Sequence, residues 1–404
     1  MNSAANGMTG DGISMDRQGP LKGLRIVEME GIGPPPFAAM LLSDMGAEVI
    51  RIARIADSGL GIDRPDELDL PARGRQSLAM DLKNPQAVEC LLDLISSADG
   101  LIEGFRPGVM ERLGLGPDIC LGRNPRLIYG RLTGWGQDGP MALRAGHDVN
   151  YLAITGLLDM IGREGEPPTI PANFLADYAG GSLMMVIGML AALLHAKSTG
   201  QGQIIDSAMV DGAALLATAM AGFRAAGMHD GPRGTNLLDG GLPQYSVYEC
   251  ADGKYLSIGA LERKFQLILL AGLGLSDEDA PLQGSKEGRR RARQAIAYRI
   301  RQRSRDEWIT HFEGKDACVA PVLTFEEAAR HSHNRARGTF VEIDGVTQPA
   351  PAPRFSATPL AMPVPPERPG ASGRAVLEAW GIDADRIKAL VEAGAVLDGE
   401  RPGK

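Results

Sequence analysis

Between Leu24 and Ile52 the chain reads LRIVEM, then EGIGPPP, then FAAMLLSDM, a glycine, and AEVIRI. This order leaves few folds open. The apolar run from Leu24 to Met29 predicts a strand. The cluster from Gly31 to Pro36 predicts a turn, because neither a continuous strand nor a helix tolerates it. Apolar residues from Phe37 to Met45 recur at helical spacing, Gly46 ends that helix, and Ala47 to Ile52 predicts a second strand. The alternation continues through a helix over Ala87 to Ile95 and strands at Gly100 to Glu103 and Leu127 to Gly130. The expected fold class is α/β with a largely parallel sheet. The opening turn is not the dinucleotide fingerprint: a third glycine is missing at the required place, and prolines have no N–H to give a pyrophosphate. NAD or FAD binding is therefore not expected.

Further along, Phe174 to His195 predicts a long buried helix, with the apolar part from Ser182 to His195 too short to span a bilayer. KSTGQGQ is a turn, a new segment starts at Ile205, and an Ala-rich apolar run leads to Gly227. Asp230 to Gln244 is rich in turn residues and predicts a loop. YSVYEC, ADGK and YLSIGA predict a strand, turn and strand. Helices follow, with a highly charged stretch from Lys286 to Arg305. A return to α/β character is expected near CVAPVL, then a Pro-rich loop from Pro349 to Pro369 and a last helix over Arg374 to Leu390.

Composition bounds the function. With 404 residues, 44% apolar and 23% charged, the chain is a folded soluble protein with room for more than one domain. Its net charge of -8 and lack of a basic block argue against nucleic-acid binding. Cys90, Cys120, Cys250 and Cys318 lie far apart and predict neither a zinc site nor disulfides, but buried thiols. No metal is expected. The polar, Gly-rich start lacks the features of a signal peptide, so a floppy extension and a cytoplasmic location are expected, without membrane insertion.

Several residues invite chemistry. His147 stands in RAGHDVNY, where it either caps or packs or serves catalysis, ahead of a helix-like run that Asp148 or its neighbours can cap; free N–H groups at such a helix start stabilise a developing oxyanion. Asp177 interrupts the apolar FLADYAGG, either as a first-turn residue favouring the helix dipole or as a carboxylic acid of raised pKa. Glu262 ends a strand in GALERKF, where it is either solvated or orients an imidazole. Asn173 and Tyr245 are donors to a site carboxylate or ordinary polar residues. Arg54, Arg75, Arg106 and Arg112 suit phosphate by charge and fork geometry. Met184, Met185 and Met189 read as core, and also suit a variable acyl group. Gly33, Gly180 and Gly181 serve either close ligand approach or packing.

Taken together, AGHDVNYLAITG, FLADYAGG, GRLTGWGQDGP, STGQGQIIDS, NLLDGG and DACVAPVL resemble the alpha-methylacyl-CoA racemases of the family III CoA-transferase (CaiB/BaiF-like) superfamily, from about Leu21 to Ala395. The resemblance implies an interlocked homodimer, with a Rossmann-like large domain built from both chain ends and a smaller central α+β domain. The boundaries it suggests are an extension over 1–19, the first part of the CoA-binding domain over 20–206, a helical linker over 207–240, the small domain over 241–305, a linker over 306–322, and the rest of the large domain with the tail over 323–404. It implies that His147 and Asp177 are the catalytic pair, that Glu262 supports the histidine, and that Asn173 and Tyr245 are supporting polar groups. The Asp148 N–H then donates to the thioester oxygen. Arg54, Arg106 and Arg112 lie near CoA, with Ile32 in the adjoining loop, and the methionines offer an acyl surface. The implied reaction interconverts (2R)- and (2S)-2-methylacyl-CoA through an enolate, acting on branched fatty acyl or sterol side-chain thioesters. It needs no cofactor, since CoA belongs to the substrate. Glu30, where a small residue is expected, would oppose phosphate. A family III CoA-transferase, working through an aspartyl nucleophile, is the alternative; a non-catalytic acyl-CoA-binding protein is a further one.

Overall fold

The computed structural model describes residues 17–401 apart from 58, 60 and 283. The chain divides into two compact units: Met1–Asp148 with Asn173–Gly212 and Val341–Lys404, and Val149–Ala172 with Ala213–Phe340. The first unit starts with β1 (Arg25–Met29), α1 (Pro34–Asp44), β2 (Glu48–Arg54), β3 (Gln76–Met80), α2 (Pro85–Ser96), β4 (Gly100–Glu103), α3 (Val109–Arg112), α4 (Pro117–Arg123) and β5 (Ile128–Thr133). α5 (Asp148–Thr155) begins at this stretch's last residue; a π-helical segment Phe174–Leu183, α6 (Met184–Thr199) and β6 (Gln203–Ala208) complete the layer. The sheet is wholly parallel, in the order β3-β2-β1-β4-β5-β6. The order reverses between β1 and β4, and ligands of open α/β sheets bind at the carboxyl ends of the strands beside such a reversal.

Two details depart from the sequence reading. β3 was not expected: QSLAM carries two polar residues in five, yet its last four are buried, and Ser77 Oγ accepts the Gly370 N–H. The three prolines of GIGPPP do not precede α1 but form its first turn, with Gly33 at the N-cap. A first turn tolerates them because its N–H groups have no partner within the helix.

The chain enters the second unit for the second time within α7 (Met209–Leu216), and α8 (Thr218–Ala225) lies in that unit. It contains β7 (Tyr245–Glu249), β8 (Tyr255–Gly259), α9 (Arg263–Leu273), α10 (Lys286–Ile300), α11 (Arg305–Phe312), β9 (Val319–Val322), α12 (Phe325–Arg330) and α13 (Ser332–Arg337). The expected hairpin forms, with Tyr245 opposite Gly259. CVAPVL does not return to the α/β layer: β9 adds a third antiparallel strand beside β8. Its proline is tolerated because β9 lies at the sheet edge. The central unit ends at Phe340. The charge-rich helix α10 is amphipathic, burying Gly288, Ala292, Ile296 and Ile300. The expected loop Asp230 to Gln244 is pinned by Asp239, whose carboxylate accepts the N–H groups of Gly234, Asn236 and Gly241.

The chain returns to the first unit within β10 (Phe340–Ile343), followed by β11 (Val346–Pro349), α14 (Gly373–Ala379) and α15 (Ala384–Glu392). Val376, Leu377, Trp380, Ile387 and Leu390 join Val27, Ile50, Leu78, Leu94 and Tyr129 in one core, so both ends of the chain build this unit. The last helix is broken in two: Gly381 takes a left-handed φ of 91°, and Asp383 caps a new start through the Arg386 N–H. Residues 1–16 of the expected floppy extension lie outside the described residues, while Arg17 donates to Ala47 O at 2.7 Å. Three cysteines are buried as expected, but Cys318 is exposed.

The π-helix and α7 cross with almost no space between them. A Cβ at Gly212 would stand 1.8 Å from Gly180 O. Gly212→Ala is expected to lower stability by about 1–3 kcal/mol through overpacking, seen as a lower melting temperature; an unchanged melting temperature would show that this crossing relaxes freely.

Candidate active site

The loop after β1 brings Ile32 and Gly33 to the strand-order reversal. Gly33 has a φ of 70°, open to glycine, and a Cβ there would contact Asp177 Oδ2 at 3.5 Å. Because Pro34, Pro35 and Pro36 fill the first turn of α1, this helix start cannot donate N–H groups to a phosphate. Any anion here depends on side chains. Arg54, Arg106 and Arg112 are all exposed in loops or short elements of this unit. The Arg54 guanidinium lies 5.7 Å from the ring centre of Phe105, in the loop after β4. Ile32 is partly exposed nearby in sequence, after Glu30.

Glu30 is not an isolated charge. Its carboxylate accepts the Arg54 N–H at 2.9 Å and pairs with Arg51 at 3.3 Å and Arg401 at 3.8 Å. Two cations offset the repulsion of phosphate that its sequence position suggested. Arg75, expected among the phosphate ligands, is placed differently. It is 2% exposed, with Nε 2.8 Å from Glu28 Oε2. A buried guanidinium committed to a buried carboxylate is not free to hold CoA.

Asp177 sits in the first turn of the π-helix. Asn173 Nδ2 donates to its Oδ2 at 3.3 Å. The N–H groups of Ala176 and Asp177 both donate, at 2.8 Å, to Asp148 Oδ2. Asp148 is 4% exposed, so its side chain caps the π-helix and not its own helix as the sequence suggested. His147, the preceding residue, is exposed. Burial raises the Asp177 carboxyl to about 6; the Asn173 hydrogen bond pulls it down, the Asp148 charge pushes it up, and His147 lowers it. A carboxyl that exchanges its proton near neutrality, within the field of an imidazole, is equipped for acid–base transfer. Both readings of Asp177 thus had a part: it lies in the first turn of its helix and has a raised pKa.

Glu262 and Tyr245 belong to the second unit. Glu262 is the N-cap residue of α9, exposed and without a side-chain capping bond. Tyr245 is half-buried at the start of β7. Met185 and Met189 do not form an acyl surface. Both are fully buried, filling the space above two sheet glycines: Cβ atoms at Gly130 and Gly100 would approach them within 2.7 and 2.5 Å. Met184 alone of the three is partly exposed. Gly181 serves packing, since a Cβ there would meet Met209 at 2.9 Å. Sequence reading missed Glu103, Arg131 and Glu111, a linked group at the carboxyl ends of β4 and β5. The signal was an acidic residue ending the buried strand GLIE. Among the described residues, no group of three His, Cys, Asp or Glu side chains converges as for a metal.

Comparison with known proteins fits this geometry. A family model described as CoA-transferase family III matches residues 21–371. This chain belongs to that family. A CAIB/BAIF family protein from Brucella suis has a crystal structure that superposes with a TM-score of 0.78 at 26% identity, covering 90% of this chain and all of that one. The alpha-methylacyl-CoA racemase of Mus musculus is 44% identical over 92% of this chain and 96% of its own length. The succinyl-CoA:glutarate CoA-transferase of Mus musculus is 28% identical over 94% of this chain and 91% of its own.

The electrostatic account of Asp177 is directly measurable. Carbon-13 NMR of labelled aspartate, assigned by comparison with Asp177→Asn, is expected to give a midpoint near 6. Asn173→Ala removes a hydrogen bond to the ionised form and should move that midpoint upward. A midpoint in the ordinary aspartate range would contradict the assignment of burial as the dominant cause.

Proposed function

We propose that this chain interconverts (2R)- and (2S)-2-methylacyl-CoA by removing and returning the proton next to the thioester carbonyl. The observation that carries the reading is Asp177 itself: a carboxyl raised to about 6, with His147 near enough to shift it. The greater identity to a racemase than to a transferase over similar lengths supports it.

His147 and Asp177 act on opposite faces of the α-carbon. One takes the proton, the other returns one to the far side, and their roles reverse for the other enantiomer. Deprotonation places negative charge on the thioester oxygen, and the Asp148 N–H donates to it there. A transferase would need Asp177 as an ionised nucleophile, which burial disfavours. Arg54, Arg106 and Arg112 hold the CoA phosphates, with Ile32 beside them, and CoA enters as part of the substrate without any further cofactor. Of the three methionines considered, Met184 remains for the acyl chain.

In this reading the enzyme is a cytoplasmic, interlocked homodimer. Support comes from apolar side chains left exposed on α6, Ile187 at 57% and Leu194 at 72%. Glu262 is assigned as the acidic residue that supports the histidine, and Tyr245 as a supporting polar group. Phe174–Thr199 is long and apolar enough to cross a membrane by composition alone, but half of its most apolar window is buried, which fits a core helix covered by a partner.

The proton balance sets the pH dependence. The pair works when one proton is shared between base and acid. As pH falls through about 6, Asp177 takes up its proton and is lost as a base. kcat/KM should therefore fall on the acid side, equally in both directions because the equilibrium constant does not depend on pH. Chiral chromatography of products from each pure enantiomer tests the reading. Conversion is expected both ways, lowered about 100-fold or more in His147→Ala and Asp177→Ala. CoA transfer to free carboxylic acids, without inversion, would replace the racemase reading with the transferase one.

A further inference from the structure

Glu103 ends β4 with its side chain completely buried. Its Oε2 accepts the Phe105 N–H at 2.7 Å, and its Oε1 accepts from Arg131 Nε at 3.0 Å. Arg131, on β5 and 7% exposed, reaches beyond the sheet with its other nitrogens. They donate to the two oxygens of Glu111 at 2.8 and 3.3 Å. Glu111 lies on α3, immediately before Arg112. One guanidinium therefore holds both ends of the segment from Gly104 to Arg112. That segment includes Arg106, Arg112 and Phe105, whose ring lies under Arg54. Its course is constrained elsewhere as well. A Cβ at Gly104 would stand 2.4 Å from Pro35 Cγ, and Gly108 turns with a left-handed φ of 81°.

We infer that Arg131, through Glu103 and Glu111, is a positioning residue for the nucleotide end of an acyl-CoA, fixing the segment that presents Arg106 and Arg112. The inference rests on the proposed CoA binding, but not on the racemisation step. The chemistry favours this over simple structural support. Burying Glu103 and Arg131 carries a desolvation cost that apolar packing at a strand end would avoid, and the best-attested use of such pairs is to specify one geometry. The arrangement is also bidentate at Glu111, which fixes direction as well as distance. Burial pushes the Glu103 carboxyl up to about 7, whereas at Glu111 desolvation is outweighed by the Arg131 hydrogen bonds and charge together with backbone hydrogen bonds, which hold that carboxyl below its ordinary value. The guanidinium thus has its firmer anionic partner on the segment it positions.

The test compares Glu111→Ala, Glu111→Gln and Arg131→Met with the unaltered enzyme. Free CoA binding is followed by calorimetry. Racemisation is followed with a 2-methylacyl-CoA and with the same acyl group on N-acetylcysteamine, which lacks the nucleotide. Glu111→Ala should weaken CoA binding and raise KM for the CoA ester about 3- to 5-fold, the worth of one partly exposed ion pair. kcat should not change, nor should turnover of the short thioester. Glu111→Gln, which keeps an acceptor, should recover most of the loss. Arg131→Met should have a larger effect, and if it does not fold, the Glu111 variants decide. Unchanged CoA affinity in Glu111→Ala, or equal losses on both thioesters, would overturn the inference. Weaker CoA binding in a protein that racemises nothing would leave the inference standing and remove the racemase reading.

Discussion

One oxygen of Asp148 receives two N–H groups from the first turn of the π-helix, those of Ala176 and Asp177. This contact joins the segment ending at His147 to the helix that carries Asp177. Buried N–H groups need partners, and a helix start has several without one. Meeting that need with a side chain adjacent to His147 places the two candidate proton carriers in one local frame. The same carboxylate adds a negative charge near Asp177, reinforcing the effect of burial on its proton affinity. The wide turn of the π-helix and the crowded glycine crossing beneath it hold that frame against the sheet. π-Helical turns are rare and concentrate at functional sites.

The other half of the site follows from the prolines. A parallel sheet in the order β3-β2-β1-β4-β5-β6 offers a ligand crevice by topology. In dinucleotide-binding proteins the first helix start supplies N–H groups to phosphate. Here Pro34, Pro35 and Pro36 remove them. A phosphorylated ligand at this edge has to be met by cationic side chains. Those side chains need support that backbone donors would not, and the ion pairs at the strand ends, Glu103 with Arg131 in the interior and the partly buried Glu30 with Arg51, supply fixed positions for it.

Much of this was legible in the sequence, for physical reasons that differ by residue. β1, β2, β4 and β5 were readable because burial on both faces leaves short apolar runs between glycines and polar breaks. β3 was not, because Ser77 is accommodated by contacts from residues almost three hundred positions away. The third small-sheet strand was misplaced since nothing local in CVAPVL states which sheet it joins. His147 and Asp177 stood out as polar residues in apolar or glycine-rich surroundings, but their proximity is a property of the fold. Arg75 and Met185 show the opposite case. Each has chemistry suited to a CoA ester, and each is taken up by the core, Arg75 by Glu28 and Met185 by the space over Gly130.

In the proposed reaction two groups exchange the α-proton of an acyl-CoA through a planar intermediate. Proton NMR of a single enantiomer of a 2-methylacyl-CoA in deuterated water tests it most directly. The account predicts loss of the α-proton signal together with appearance of the opposite enantiomer, from either starting form and with no acceptor acid present. Retention of the α-proton in a protein that binds the thioester would contradict it.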